Sequence, residues 1–265
     1  MLRLPFYQVD AFTREAFGGN PAGVCALEAP IGHDLMLAIA REKNLPATAF
    51  FAPDGDGFSL RWFAPAGELG LCGHGTLAAG FVLLNLLHRE HDRVAFRSGA
   101  GPLEVRREGN RLGLDFPMLA IKRECGVDDV AAAIGVRPSS VWEAVGERGM
   151  AVLDDATQVR ELRPNIAAIG ELSFSALIVT ARGWAGDCDF VSRYFVPKHG
   201  IAEDYVTGSA HCVLTPYWCG VLGKRNLFAR QLSSRGGEVW VEDRGERVGI
   251  AGECVPIAEG TLTVP

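Results

Sequence analysis

The residue types best suited to proton chemistry lie together in one short stretch, residues 71–76 (LCGHGT), which leads into an apolar pattern that predicts a helix ending near Leu87. An imidazole exchanges protons near neutral pH, and a thiol does so where a helix N-terminus favours its thiolate. The N–H groups and the dipole at the start of a helix favour an anion such as a carboxylate or an enolate. The stretch therefore predicts a proton-transfer site for a small acid, carried by His74 and Cys72. The same residues also fit a purely structural role, in which a glycine-rich turn leads into a buried helix and His74 is hydrogen-bonded in place.

A second stretch with a similar plan follows 135 positions later, where Asp204 precedes residues 208–211 (GSAH) at the start of another apolar run. A duplicated fold would bring two helix N-termini to one cleft, where they could hold an anion between them. Asp204 and Ser209 also fit simple helix capping, so a structural role explains them too. His211 lies within the apolar helix and is predicted to be a packing residue with its hydrogen bonds satisfied.

A fold made mostly of short strands must position these two stretches. In the first half, apolar alternation and turn signals predict a helix from an N-cap at Asp34 to Lys43, and the following strands: 4–12, 22–27, 48–52, 58–63, 94–98, 103–107 and 112–116. In the second half, they predict helices at 128–134, within 158–169 and from 208 to about 219, and the following strands: 141–145, 150–153, 175–180, 189–196, 228–234, 238–242 and several short ones from there to Val264. Short strands with one long buried helix in each half indicate an α+β fold.

The composition excludes several classes of protein. A net charge of −6 over 265 residues, with lysines and arginines scattered, argues against nucleic acid or a membrane surface as the partner. The longest apolar run, residues 77–87, is too short to span a bilayer, and the N-terminal residues lack a signal peptide's apolar core. Seven cysteines without a C-x-x-C pair are typical of reduced thiols in a cytoplasmic protein and predict no structural zinc. No glycine-rich segment has the spacing of a dinucleotide or phosphate loop, so neither a metal nor another cofactor is expected.

Six motifs follow one another along the chain: VDAF at 9–12, GNPA at 19–22, LCGH at 71–74, SRYF at 192–195, EDYVTGSAH at 203–211 and EGTL at 259–262. In this order they resemble the PhzF-like phenazine biosynthesis proteins, which have the diaminopimelate epimerase fold. The resemblance implies two similar α+β domains, each a strand barrel wrapped around a central helix, with the active site in the cleft between them. The first domain is then expected at 1–117, completed by a last strand at about 255–265, and the second at 118–254.

The resemblance also implies cofactor-independent proton transfer on a small carboxylic acid, usually by a homodimer. Carried over by position, His74 and Asp204 are the polar catalytic residues, while Gly73 and Ser209 hold the substrate's carboxylate or amine. The other positions expected to bind substrate are Asn20, Cys72, Gly75, Thr207 and Gly208.

One departure from the family pattern concerns the general base. In the family, a glutamate in an Asn-Leu-Ser/Pro-Glu-Thr segment removes and returns the proton, but residues 44–48 here read NLPAT, with Ala47 at the glutamate position. Loss of a positioned base costs about 10²–10⁴-fold in rate. Three explanations remain open: an engineered inactive variant, a divergent enzyme in which Asp204 with His74, or Glu68, replaces the glutamate, and a silent binding or interaction protein. Gly75 stands where the family commonly has alanine.

Cys72 introduces a further alternative, because residues 72–76 also resemble the first thiol motif of proline racemases and hydroxyproline epimerases. Those enzymes remove a proton with one thiolate and return it with a second. The second cysteine should fall at Thr207, whose hydroxyl is too weak an acid for that exchange. Cys212 lies inside the following helix and is predicted to pack in the core, so this alternative ranks below the others.

Overall fold

The computed structural model of the protein consists of two units and describes residues 1–264. Met1–Asp115 and Ala251–Pro265 form the first unit, and Phe116–Ile250 forms the second. The boundaries predicted from the sequence, 117/118 and 254/255, each lie within a few residues of these. The last strand of the chain thus belongs to the unit that the first strand begins.

The elements are numbered in chain order. Up to the first boundary they are β1 (Leu2–Ala11), β2 (Asn20–Ala26), α1 (His33–Lys43), β3 (Ala47–Asp54), β4 (Gly57–Ala64), β5 (Gly67–Leu69), α2 (Gly73–Phe81), a π-helical segment (Val82–Leu87), β6 (Arg93–Ser98), β7 (Gly101–Glu108) and β8 (Arg111–Pro117). They continue with β9 (Ile121–Cys125), α3 (Asp128–Ile134), β10 (Ser140–Ala144), β11 (Arg148–Val152), α4 (Ala156–Glu161), α5 (Ile166–Glu171), β12 (Ala176–Arg182) and β13 (Phe190–Val196). The remainder are a 3₁₀ turn (Pro197–His199), β14 (Ile201–Asp204), α6 (Gly208–Leu222), β15 (Asn226–Gln231), β16 (Gly237–Asp243), β17 (Arg247–Gly252) and β18 (Cys254–Val264).

Strand β1 is central to the first unit, because it pairs antiparallel with β18 on one side and with β2 on the other. From β2 the pairing continues through β3, β4, β6, β7 and β8; the β2–β3 and β4–β6 pairs are parallel and the others antiparallel. Helix α2 packs against β1, β2, β3, β7 and β18, and its residues from His74 to Phe81 are all buried. A helix that is apolar on every side has to be enclosed in this way.

The second unit repeats this order of strand pairings. Antiparallel pairs join β9 to β10 and β10 to β11, and a parallel pair then joins β11 to β12. An antiparallel β12–β13 pair, a parallel β13–β15 pair and an antiparallel β15–β16 pair complete the series. Helix α6 lies between β13 and β15 in the chain, as α2 lies between β4 and β6, and its Trp218 stacks on Phe190 of β13. The two units therefore have the same internal plan.

The predicted elements are largely present, and the α+β class is confirmed. Helix α1 has Gly32 as its N-cap, so the prediction of Asp34 at that position is wrong; Asp34 lies in the first turn. The helix predicted within 158–169 is two short helices, α4 and α5, because Pro164 interrupts the run. Strands β5, β9 and β14 were not predicted. No helix within residues 1–264 is long and apolar enough to cross a membrane.

Candidate active site

The start of helix α2 brings a thiol and an imidazole into contact. Cys72 is the N-cap, yet its side chain does not cap its own helix. Instead, its Sγ lies 3.5 Å from Nδ1 and 3.9 Å from Nε2 of His74. Both side chains are nearly buried, at 6% and 9% exposure. A thiol and an imidazole at this separation can share a proton, which is the chemistry that the sequence predicted for them.

Gly75 makes room for this contact. A Cβ at position 75 would lie 3.0 Å from Cys72 Sγ and 3.0 Å from Cδ1 of Trp62, a side chain that is itself fully buried. Real Cβ atoms rarely approach neighbours so closely, so an alanine here would displace the thiol or the indole. Gly75, the glycine that departs from the family pattern, therefore leaves the space that the Cys72 thiol occupies beside His74.

The start of helix α6 is built around a hydroxyl and a carboxylate. Thr207 is the N-cap and, like Cys72, does not cap its own helix with its side chain. Its Oγ1 donates a 2.6 Å hydrogen bond to Oδ2 of Asp204, the last residue of β14. The side chain of Gln231 accepts from the Thr207 N–H at 2.8 Å and donates to the Asp204 carbonyl at 3.0 Å. Sequence reasoning missed Gln231, because a single glutamine at a strand end carries no local signal.

The two helix starts share one backbone design. Cys72 and Thr207 have similar extended backbone angles, with φ/ψ of −141°/103° and −117°/102°. The residue four positions later donates to the carbonyl of each: the Thr76 hydroxyl at 2.7 Å and the His211 Nδ1 at 2.9 Å. In both cases a glycine occupies the first helical position. Each start therefore presents a glycine N–H at the positive end of a buried helix, which suits an anionic group.

His211 corrects one prediction. Its Nδ1–H is bonded as described, but within residues 1–264 its fully buried Nε2 has no hydrogen-bond partner. Burial lowers the pKa of this imidazole from 6.5 to about 4, although the bond to the Thr207 carbonyl opposes the shift. The ring is consequently neutral at pH 7, with its proton on Nδ1. The expectation of a fully satisfied packing residue is wrong for Nε2.

Glu68 lies on β5 with both carboxylate oxygens on Arg61. The two hydrogen bonds, to Nε and Nη2, are each 2.7 Å long, and His33 Nε2 approaches the same carboxylate at 3.7 Å. The bonds from Arg61 hold the pKa of this carboxyl below its usual range. A carboxylate held ionised in this way is a poor proton acceptor, which argues against Glu68 as the substitute base.

Asn20 and Ala47 begin the neighbouring strands β2 and β3, and both are fully buried. These strands are parallel, and Ala47 stands opposite Ala22, so the two residues lie at the same end of the pair. Cys212 is buried, and its Sγ donates to the Gly208 carbonyl at 3.6 Å, which agrees with the predicted packing role. The structure thus brings Cys72 into contact with His74 and Asp204 into contact with Thr207, and it places Asn20 and Ala47 at the same end of neighbouring strands.

Comparisons with known proteins agree with this fold. The sequence model of the phenazine biosynthesis-like protein family, PhzC-PhzF, matches residues 9–260. An uncharacterized isomerase of Pseudomonas aeruginosa is 44% identical over 261 residues, which cover 98% of this chain and 99% of the relative. The crystal structure of a phenazine biosynthesis protein of the PhzF family from Enterococcus faecalis is 39% identical and has a TM-score of 0.95 over 99% of this chain and 100% of that one.

A more distant structure shares the fold alone. A predicted epimerase from Pseudomonas aeruginosa is 18% identical and superposes with a TM-score of 0.75, covering 99% of this chain and 100% of its own. The epimerase-like fold predicted from the six motifs is confirmed by these likenesses.

Proposed function

The chain belongs to the phenazine biosynthesis-like family, and we propose that it is a cofactor-independent isomerase that moves a proton on a small carboxylic acid. The observation that carries the proposal is the 3.5 Å contact between Cys72 Sγ and His74 Nδ1 at the start of helix α2. It combines a titrating pair with a helix N-terminus, which is what removal of a proton next to a carboxylate requires. The relative from Pseudomonas aeruginosa that is named an isomerase supports the same reaction class.

The chemistry follows from this pair. The imidazole of His74 takes the proton of the Cys72 thiol, and the thiolate removes a proton from the substrate carbon. The electron pair left on that carbon moves into the carboxylate, which becomes an enolate with a second negative charge. The N–H groups of Gly73 and Gly75, at the positive end of α2, stabilise that charge. The imidazolium of His74 then returns its proton to a different position of the substrate, which completes an isomerisation and restores the neutral imidazole.

This mechanism does not require a carboxylate at position 47. Ala47 cannot exchange a proton, and the pairing of Glu68 with Arg61 makes that residue a weak substitute. We assign proton removal to the Cys72–His74 pair of the first unit; in the second unit, Asp204, whose carboxylate is held by Thr207, is assigned as a group that handles a proton. Ser209, at the second position of α6, is assigned to the substrate's carboxylate or amine. A homodimer is proposed on the family resemblance, and sedimentation velocity measures it directly.

A second candidate is a protein that binds a small acid without turning it over. The observation that favours it is Ala47, a fully buried alanine at the position where the family carries its base. Both candidates predict binding of a carboxylate, so an affinity measurement does not separate them. Transfer of solvent deuterium to the carbon of a bound acid does, since only an enzyme labels that carbon.

The experiment is NMR detection of proton exchange in D₂O on a panel of small carboxylic acids, cyclic and amino, that includes a dihydro-hydroxyanthranilate. The native chain is compared with the variants Cys72→Ala, His74→Ala and Ala47→Glu. We expect the native chain to label at least one acid, and each of the first two variants to lose about 10²-fold or more of that rate. Labelling by Ala47→Glu alone would instead identify a disabled enzyme with the family's carboxylate mechanism.

Two matched control variants test whether the loss of any cysteine or any histidine lowers the exchange rate. Cys188→Ser changes another thiol, one whose pKa is raised by burial to about 11, and His199→Ala changes an exposed imidazole. Both should leave the exchange rate unchanged. If the native chain and Ala47→Glu both bind an acid from the panel but label none, the silent binding protein replaces the isomerase as the better description.

A further inference from the structure

Gln231 ties the Asp204–Thr207 pair to the sheet of the second unit. It ends strand β15, and its side chain is fully buried. Its Oε1 accepts from the Thr207 N–H at 2.8 Å, while its Nε2 donates to the Asp204 carbonyl at 3.0 Å and to Thr207 Oγ1 at 3.3 Å. All three bonds go to residues 24 to 27 positions away in the chain. A single side chain thereby connects the central sheet to the loop that precedes α6.

The orientation of this amide is set by its partners. A backbone N–H can only donate and a carbonyl can only accept, so Oε1 must face Thr207 N and Nε2 must face the Asp204 carbonyl. Because Nε2 also donates to Thr207 Oγ1, the hydroxyl has its single hydrogen left for another acceptor. That acceptor is Asp204 Oδ2, at 2.6 Å. The direction of the glutamine amide therefore determines the direction of the threonine hydroxyl.

The opposite face of strand β14 is fixed separately. Successive residues of a strand point to opposite faces, so Glu203 and Asp204 do too. Glu203 forms two hydrogen bonds with Arg193, at 2.7 and 2.8 Å, which hold its side of the strand. On the face of Asp204, hydrogen bonds from Gln231 and Thr207 hold the strand. Asp204 is thus held at two atoms. Its backbone carbonyl accepts a hydrogen bond from Gln231, and its Oδ2 accepts one from Thr207.

We propose that Gln231 is a positioning residue, which orients the Thr207 hydroxyl and through it the Asp204 carboxylate for proton transfer. This inference rests on the proposed function, in which Asp204 handles a proton. The side chain must be a neutral amide, since the role needs one acceptor and two donor hydrogens at fixed places. A leucine at position 231 supplies none of them, whereas a glutamic acid supplies the acceptor and one of the two donors, the latter only while it is protonated.

The first arm of the test is hydrogen–deuterium exchange of the full chain, followed by mass spectrometry. Gln231→Leu loses all three bonds, so the peptide around residues 204–211 should exchange at least about tenfold faster than in the native chain, since one lost hydrogen bond alone accounts for about that factor. A peptide from β16 should not change, because its strand pairing with β15 uses only backbone groups. Unchanged exchange at 204–211 would overturn the proposal.

The second arm uses Gln231→Glu, which keeps the shape of the side chain and makes its donor depend on pH. At pH 5 the buried acid is neutral and its O–H replaces one of the two amide N–H donors, so the exchange of the 204–211 peptide should lie closer to the native rate than to the rate in Gln231→Leu. At pH 9 the ionised acid cannot donate, so the ratio to the native rate should rise about tenfold. Gln158→Glu, an exposed change in the same unit, should show a ratio near one at both pH values. A ratio that does not depend on pH overturns the proposed role of the donor.

The third arm separates a positioning residue from a purely structural one. In the deuterium-labelling assay, Gln231→Leu should lower kcat by about 10- to 100-fold with KM changed less than threefold, because the carboxylate is misplaced and not lost. Gln231→Glu, compared with the native chain at the same pH, should keep more of the native kcat at pH 5 than at pH 9. Faster loop exchange with a native kcat would show that Gln231 is structural only. If the native chain labels no acid, the proposed function fails, while the first two arms still decide whether Gln231 holds the loop.

Discussion

Lowering the pH from 7 to 5 should destabilise the second unit through the single imidazole of His211. The ring is fully buried, its Nε2 has no partner among the described residues, and its pKa is about 4 against 6.5 in an unfolded chain. Protonating it in place would put an uncompensated charge between α6 and Phe190 of β13. The folded state therefore keeps the ring neutral while the unfolded state takes up the proton.

The magnitude follows from proton linkage. When the folded pKa lies below the unfolded one, the unfolded state binds more protons, and stability falls as the pH drops between the two values. With 6.5 and about 4, the penalty is near zero at pH 7 and about 2 kcal/mol at pH 5, and it stops growing below pH 4. The window between pH 7 and 5 lies above the ordinary range of carboxyl groups, so most of them do not titrate in it.

The assay is urea unfolding followed by tryptophan fluorescence, which reports on Trp218 in the same helix. His211→Gln keeps a donor for the Thr207 carbonyl and removes the titration. Between pH 7 and 5 the native chain should lose about 2 kcal/mol more stability than this variant, and the subtraction cancels every other titrating group. His199→Gln, which changes an exposed ring, should behave as the native chain does. Equal losses in the native chain and His211→Gln would refute the reasoning.

Two further predictions concern packing. Arg193→Met should cost about 3–5 kcal/mol, because it leaves the carboxylate of Glu203, whose side chain is 18% exposed, without its partner; a cost below about 1 kcal/mol in urea unfolding would contradict this. Gly80→Ala should cost about 1–3 kcal/mol, since the new methyl would lie 2.5–2.8 Å from the side chain of Val105. Adding Val105→Ala should recover part of that loss, and strictly additive effects would show that the two side chains do not meet.

Local sequence patterns predicted the elements whose own residues carry the signal. The strand β13 and the helix α6 appear where alternation and an apolar run indicate them. Asn44 ends α1 in the left-handed conformation, with φ of 48°, as a helix-stopping asparagine should. Strands β9 and β14 carry no comparable pattern, because their hydrogen bonds come from partners elsewhere in the chain.

Helix α2 shows the same difference between what the local sequence predicts and what contacts with distant residues determine. The apolar run to Leu87 was predicted as one continuous helix, but beyond Phe81 the chain continues as a π-helical segment. Arg107 of β7 donates to the Leu84 carbonyl at 2.8 Å within that segment. Arg107 lies outside the apolar run, so the sequence pattern of the run does not predict this hydrogen bond.

For the site, the sequence by itself determined which groups can exchange protons and where the two helices begin. His74, Cys72 and Asp204 could be selected because glycines and helix starts leave a pattern within a few residues. The tertiary structure alone decided their hydrogen-bond partners. It committed Glu68 to Arg61, left His211 Nε2 without a partner among residues 1–264, and brought Gln231 to Thr207 across 24 residues. Sequence patterns record what each segment prefers locally, whereas the state and orientation of a titrating group depend on side chains that only folding brings near it.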